Sequence, residues 1–463
     1  MTSGFKAGVI LTRRRKFLFI GMLFLAVLAS AKPGINGDGL QRFYALQKML
    51  GDQPAQAVFD EKYDASLPVL AVPLYGLAKA TAGPRHGPEL VRHLKGLVAQ
   101  FNHLLLCGFL LWFFTFLKRR FGFADDGAAV GTLVFLLTSF ALPHTRDFYS
   151  EMLWSGAAFI GFDLLVTAVR TEPSRRLLLG LGLASFFAVW GSTVFALVWV
   201  PLVALATLAS VRKRRGSVGS RLAAWVRRPA NLAAAAGVIL AVAAYFIENQ
   251  IERGSILANG YEAETWRFAP ITFWYIFASP GKGLLWFIPA LWCVPILFRN
   301  PRLKAAATPE VRTLAAISAA VTLLLTAIYG SWWAWGGAVY WGPRFFLYTS
   351  FAGSTLLVFL LAHRSLLTRW ERGLVYLCAA LSAFVVLSGM SIGQHYYDGC
   401  RGVAGNCHLT FIESPYYVFG RPKAEWLALV LSRYVVVLVL AAPLFWVILR
   451  RGERRHGNEV VVS

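Results

Sequence analysis

Long apolar runs free of charge recur along the whole chain, most of them closed by basic clusters such as Lys118-Arg119-Arg120. In hydrocarbon a backbone must satisfy its own hydrogen bonds, so runs of this kind read as spanning helices. Hydrophobic residues make up 57% and charged residues 15% of the 463, with mean hydropathy +0.56. The expectation is an all-α polytopic membrane protein of about 12 transmembrane helices, range roughly 11–13, forming a single integral-membrane domain over 1–463. The spans fall near 17–31, 97–117, 127–143, 152–169, 177–190, 193–211, 231–247, 284–298, 313–330, 345–362, 373–390 and 426–449. Two stretches are ambiguous. The run 177–211 reads as two short helices about Gly191-Ser192 or as a re-entrant hairpin. The run 67–82 contains Pro68 and Pro73 and is placed at the surface or dipping in shallowly.

A formal net charge of +23 would point to nucleic acid in a water-soluble chain. Here the excess gathers in alternate loops, while the loops between them are close to neutral, which is the pattern of cytoplasmic retention of Lys and Arg. Both termini are then cytoplasmic, and nucleic acid is not a partner. The run 17–31 follows Arg13-Arg14-Arg15-Lys16 and has no convincing small-residue cleavage site, so it reads as a retained first helix. The stretch 221–228 reads as a short interfacial helix. No Gly-x-x-x-x-Gly-Lys loop occurs, which argues against ATP-driven transport by this chain.

The acids crowd the outer loops 32–96, 248–283 and 391–425 and the short loop 143–151. Asp38, in Gly37-Asp38-Gly39, sits within a few residues of the first span on the face opposite the arginines. A glycine-flanked carboxylate there can approach a lipid-linked substrate at headgroup level, which suggests an enzyme working at the membrane surface.

The first span followed by Gly37-Asp38-Gly39 and Phe43-Tyr44 resembles the opening of the GT-C class of glycosyltransferases. So does the second acidic motif, Arg146-Asp147-Phe148-Tyr149-Ser150-Glu151. Lys62-Tyr63-Asp64-Ala65-Ser66-Leu67-Pro68 with Pro73-Leu74-Tyr75, Ser279-Pro280-Gly281-Lys282-Gly283 and Trp341-Gly342-Pro343-Arg344 resemble a bacterial branch similar to the protein mannosyltransferases. The resemblance implies a GT-C-like architecture with outer-face loops and juxtamembrane helices. It also implies transfer of a sugar from a polyprenyl-phosphate carrier to a lipid, glycan or protein acceptor.

Inverting transfer needs a carboxylate to take the acceptor's hydroxyl proton as the anomeric carbon becomes oxocarbenium-like. Asp38 is the candidate base; the alternative is a turn-making aspartate. Asp147 and Glu151, four apart, would share a helix face and orient the acceptor or bind a divalent cation. Otherwise they cap the next span, with Arg146 as their ion-pair partner. No cofactor is otherwise implied, and no histidine has metal-ligand spacing. Lys282 and Arg344, with Arg267 as a third, are candidates for the donor phosphate, against a bland reading as headgroup anchors. His144 is a further phosphate candidate. Tyr44, Trp341 and His395 are candidate sugar or acceptor contacts, with an interfacial aromatic belt as the competing reading of the tryptophans.

Cys400 and Cys407 share the last outer loop and read as a disulfide, with a metal pair alongside His395 or His408 as the alternative, while Cys107, Cys293 and Cys378 read as buried packing residues. Two further classes compete with the transferase. One is a secondary transporter or lipid flippase, disfavoured because the halves show no internal repeat and only Asp163 and Arg433 lie within spans. The other is a surface-polysaccharide polymerase or ligase, for which the second-half loops are modest.

Overall fold

The computed structural model describes residues 37–52, 65–211, 226–258, 270–278, 283–332 and 342–391, with a few single residues between them. Among these the chain is helical, and the one non-helical pairing is an isolated bridge between Trp266 and Trp332.

The first-loop region forms three short helices, α1 (Asp38–Met49), α2 (Ser66–Ala80) and α3 (Gly87–Val98). On α2, Leu67, Ala71, Tyr75 and Ala78 recur at helical spacing and are buried. They meet Phe43 and Leu46 of α1 and Leu94 and Val98 of α3 in a small core. Val69 and Leu77 stay exposed. At 15 residues α2 is about 22 Å long, short of the roughly 30 Å a span needs. Beyond the end of α1, Asp52 accepts from the Tyr75 hydroxyl and lies 2.6 Å from Lys79 Nζ. Burial raises the Asp52 pKa, but these two donors outweigh it and hold the carboxyl below the usual carboxylate range.

The remaining helices are α4 (Phe101–Phe121), α5 (Asp125–Thr138), α6 (Ala141–His144), α7 (Glu151–Arg170), α8 (Arg175–Trp190), α9 (Ala196–Val211) and α10 (Pro229–Arg253). After them come α11 (Pro270–Ala278), α12 (Leu284–Phe287), α13 (Val294–Arg299), α14 (Pro301–Ala306), α15 (Pro309–Gly330), α16 (Leu347–Ala362) and α17 (Arg369–Ser391). Their starts carry the expected signals. Ser174 and Thr308 cap α8 and α15 through their hydroxyls, and Asn300 caps α14 by accepting from Arg302 and Leu303.

Six helical stretches among the described residues are long and apolar enough to cross a membrane: Gly87–Phe121, Glu151–Arg170, Pro229–Arg253, Pro309–Gly330, Arg344–Ala362 and Arg369–Leu387. The protein is therefore a helical membrane protein, but the described chain does not give the expected count of about 12. The runs 17–31 and 426–449 lie outside the described residues. The runs 127–143 and 284–298 are apolar, yet their helices are interrupted, while 177–211 forms the two short helices expected about Gly191-Ser192, each too short to be among the six. Helix α5 ends at Thr138 because Ser139 turns to extended backbone, and α8 ends before Gly191-Ser192. The run 284–298 breaks into α12, a 3₁₀ turn over Pro289–Cys293 and α13, as Pro289 and Pro295 remove amide donors.

The main core is aromatic. Phe109, Phe113 and Phe135 pack with Phe351, with Phe113 and Phe135 centroids 4.3 Å apart, and Phe162 lies 4.5 Å from Trp199. Helices α8 and α10 approach so closely that a Cβ on Gly237 would fall 2.2 Å from the Gly182 carbonyl oxygen. At one end of α4, Arg119 and Arg120 pair with Asp163 of α7, Arg120 through Nε at 2.6 Å, and Arg120 also donates to Thr167. The ionisable group inside the α7 span is thus a structural tie between two helices.

Candidate active site

At the other end of α7 the two acidic motifs meet. Gly37 holds a left-handed φ of 53° just before α1, a conformation with a Cβ penalty for other residues, and it sets Asp38 as the first helical residue. An acid in a helix's first turn complements its dipole. Gly39 serves a different need. A Cβ there would lie 3.1 Å from the Phe148 amide nitrogen, so the missing side chain lets α1 rest against the 145–150 turn. Both glycines of the motif therefore have structural causes that deliver the carboxylate between them to the second motif.

A second reversal brings the cation. Gly342 has φ 72°, and a Cβ on it would touch the Phe287 ring at 3.2 Å and approach His144 Nε2 at 3.9 Å. Arg344 then opens a 3₁₀ turn that runs into α16. Its Nη2 lies 2.7 Å from Asp38 Oδ2, and its Nε lies 3.4 Å from Glu151 Oε1. The guanidinium carbon sits 5.2 Å from the Tyr149 ring centroid and 4.9 Å from that of Phe345. Arg344 and Glu151 are both buried, and Glu151 Oε2 has no hydrogen-bond partner among the described residues. One guanidinium thus bridges carboxylates from two distant motifs at a largely buried point, where charge interactions are stronger than in water.

The turn that carries the second motif is held from three helices. Asn102 of α4 donates through Nδ2 to the Asp147 and Tyr149 carbonyls at 2.6 and 2.9 Å. Arg42 of α1 donates to Ser150 Oγ at 3.2 Å. Arg146 donates through Nη1 to the Gly389 and Met390 carbonyls at 3.0 and 2.7 Å, supplying a cation to the end of α17 where carbonyls lack helical partners.

This corrects the reading of the second motif. Asp147 and Glu151 do not share a helix face, because α7 begins at Glu151 and Asp147 lies in the preceding turn. Asp147 is buried there. Nor is Asp147 the helix cap; Ser150 occupies that position and its side chain makes no capping bond. Tyr44 belongs to the small core of α1 to α3, with Lys95 Nζ 5.6 Å from its ring centroid, which gives it a packing role.

Asp38, Glu151 and Arg344 are therefore brought into contact, with Asp147 in the adjoining turn. Lys282, Arg267, Trp341, His395, Cys400 and Cys407 lie outside the described residues. Among the described residues no group of three or more His, Cys, Asp or Glu side chains is placed to hold a metal ion. Cys107, Cys293 and Cys378 are buried free thiols, as their apolar surroundings imply. The motifs give no role to Asn102, Tyr149 or Ser150. The available signal was Asn102-His103, a polar pair inside an otherwise apolar run.

No protein-family model matches this chain, and no curated protein matches it either.

Proposed function

We propose that this chain is a membrane-embedded glycosyltransferase of the GT-C type, moving a sugar from a polyprenyl-phosphate carrier to an acceptor hydroxyl. The observation that supports it is the contact of Arg344 with Asp38 and Glu151, a guanidinium suited to phosphate beside carboxylates suited to act as a base. In this reading the donor phosphate docks on the Arg344 guanidinium, whose planar fork suits phosphate oxygens. Asp38 takes the acceptor's proton as its oxygen bonds the anomeric carbon. The bond from that carbon to the phosphate oxygen breaks, and the electron pair leaves on the carrier phosphate, where Arg344 offsets the charge. Glu151 holds the guanidinium from the other side.

The site then faces the periplasm of a bacterial inner membrane, opposite the basic loops, with both termini cytoplasmic and the chain crossing about 12 times. The acceptor is a lipid, glycan or protein presented at that face. The test is turnover of radiolabelled polyprenyl-phosphate sugars by the purified protein against a panel of such acceptors. Transfer that depends on Asp38 and Arg344 is the expected result. A wild type that neither binds nor turns over any phosphate-linked donor would sink the reading and bring the transporter forward.

A further inference from the structure

The acidic turn owes its shape to a residue that neither motif contains. Asn102 is fully buried near the start of α4, among phenylalanines and leucines, where an unbonded amide is costly. Its single Nδ2 carries two hydrogens, and each is used. One goes to the Asp147 carbonyl at 2.6 Å and the other to the Tyr149 carbonyl at 2.9 Å. The orientation follows from chemistry: a flipped amide would set Oδ1 against two carbonyl oxygens. Two carbonyls two residues apart can converge on one nitrogen only if the backbone curls around it. That curl leaves Tyr149 to face the guanidinium of Arg344 and starts α7 with Glu151 directed at the same group.

We propose that Asn102 is a positioning residue for the site, acting through the 147–149 backbone on Glu151 and Tyr149 and, through them, on Arg344. Hydroxyl side chains offer one hydrogen, and glutamine is a methylene too long for the packed site. The kinetic consequence rests on the transferase reading, since misplacement of catalytic groups by about 1 Å typically costs on the order of 100-fold in rate.

The test compares the full-length wild type with Asn102→Leu, which keeps the branch at Cγ and is bulkier but donates nothing, and Asn102→Ser, which is smaller and keeps one donor. Hydrogen exchange of the 145–151 amides should rise at least about tenfold in Asn102→Leu, with α7 beyond residue 155 unchanged and Asn102→Ser intermediate. Turnover of polyprenyl-phosphate sugar should fall about 10–100-fold with donor KM nearly constant. A positioning role acting through Glu151 also makes Asn102→Leu cost little in a Glu151→Gln background. Exchange at wild-type rates overturns the proposal, as does exchange raised equally across all helices, or rate losses that multiply in the double variant. Should Asn102→Leu fail to fold, Asn102→Ser answers the same questions. A wild type inactive on these donors defeats the transferase reading alone, because the exchange comparison still decides whether Asn102 holds the turn.

Discussion

Arg344 is shared by two carboxylates and, in the proposed reaction, by a phosphate. Asp38→Asn keeps the shape of the residue but cannot accept a proton, so turnover should fall by roughly 10²–10⁴. The same change removes a competitor for the guanidinium, so donor binding should stay at least as tight as wild type in an equilibrium assay. Arg344→Ala should behave in the opposite way, weakening donor binding by about 2–5 kcal/mol and leaving Asp38 and Glu151 facing each other unbridged. If Asp38→Asn turns over near normally with pure components, Asp38 is a turn residue and the base lies at Asp147 or Glu151. Asp38 and Arg344 stood out in the sequence because glycines flank one and Gly342-Pro343 precedes the other, and Glu151 because it lies in a short acidic loop between apolar runs. Asn102 did not, since its partners are backbone carbonyls 45 and 47 residues away, which leave no side-chain signature.

Among the elements, the α1–α2 junction depends on ionised Asp52. A carboxyl held below its ordinary value contributes stability that is complete above the unfolded-state pKa of ~4 and is lost as pH falls through the lower folded value. Asp52→Asn should therefore loosen this junction at neutral pH, and the difference from wild type should shrink as the solution is acidified. Local hydrogen exchange on α1 and α2 reads both. At the α8–α10 crossing, Gly237→Ala must drive the helices apart, because its Cβ would overlap the Gly182 carbonyl. A loss of about 1–3 kcal/mol is expected, seen as a lower melting temperature in detergent. Sequence marked the stop at Gly191-Ser192 but not those inside 127–143 and 284–298. Hydropathy reports solvent preference, whereas Ser139 and Pro289 act on backbone geometry, and so the spacing of Asp147 and Glu151 suggested a shared helix that the chain does not form.

For the whole molecule, the proposed sidedness makes a single prediction. Reporter fusions after Asp52, Asn259 and Arg401 should behave as external, and those after Arg215 and Arg302 as internal. One clear inversion would separate the loops that the site requires on one side.

Helix α4 is fastened to the turn that leads into α7 at Asn102 and to α7 itself at Arg120, points about 27 Å apart along α4. Neither fastening can slip without stranding a buried carbonyl or an aspartate in apolar surroundings. The pair therefore behaves as a rigid tie rod, resistant to the sliding and rocking by which carriers expose a site alternately to two compartments. In the proposed reaction, both substrates then come to a fixed frame.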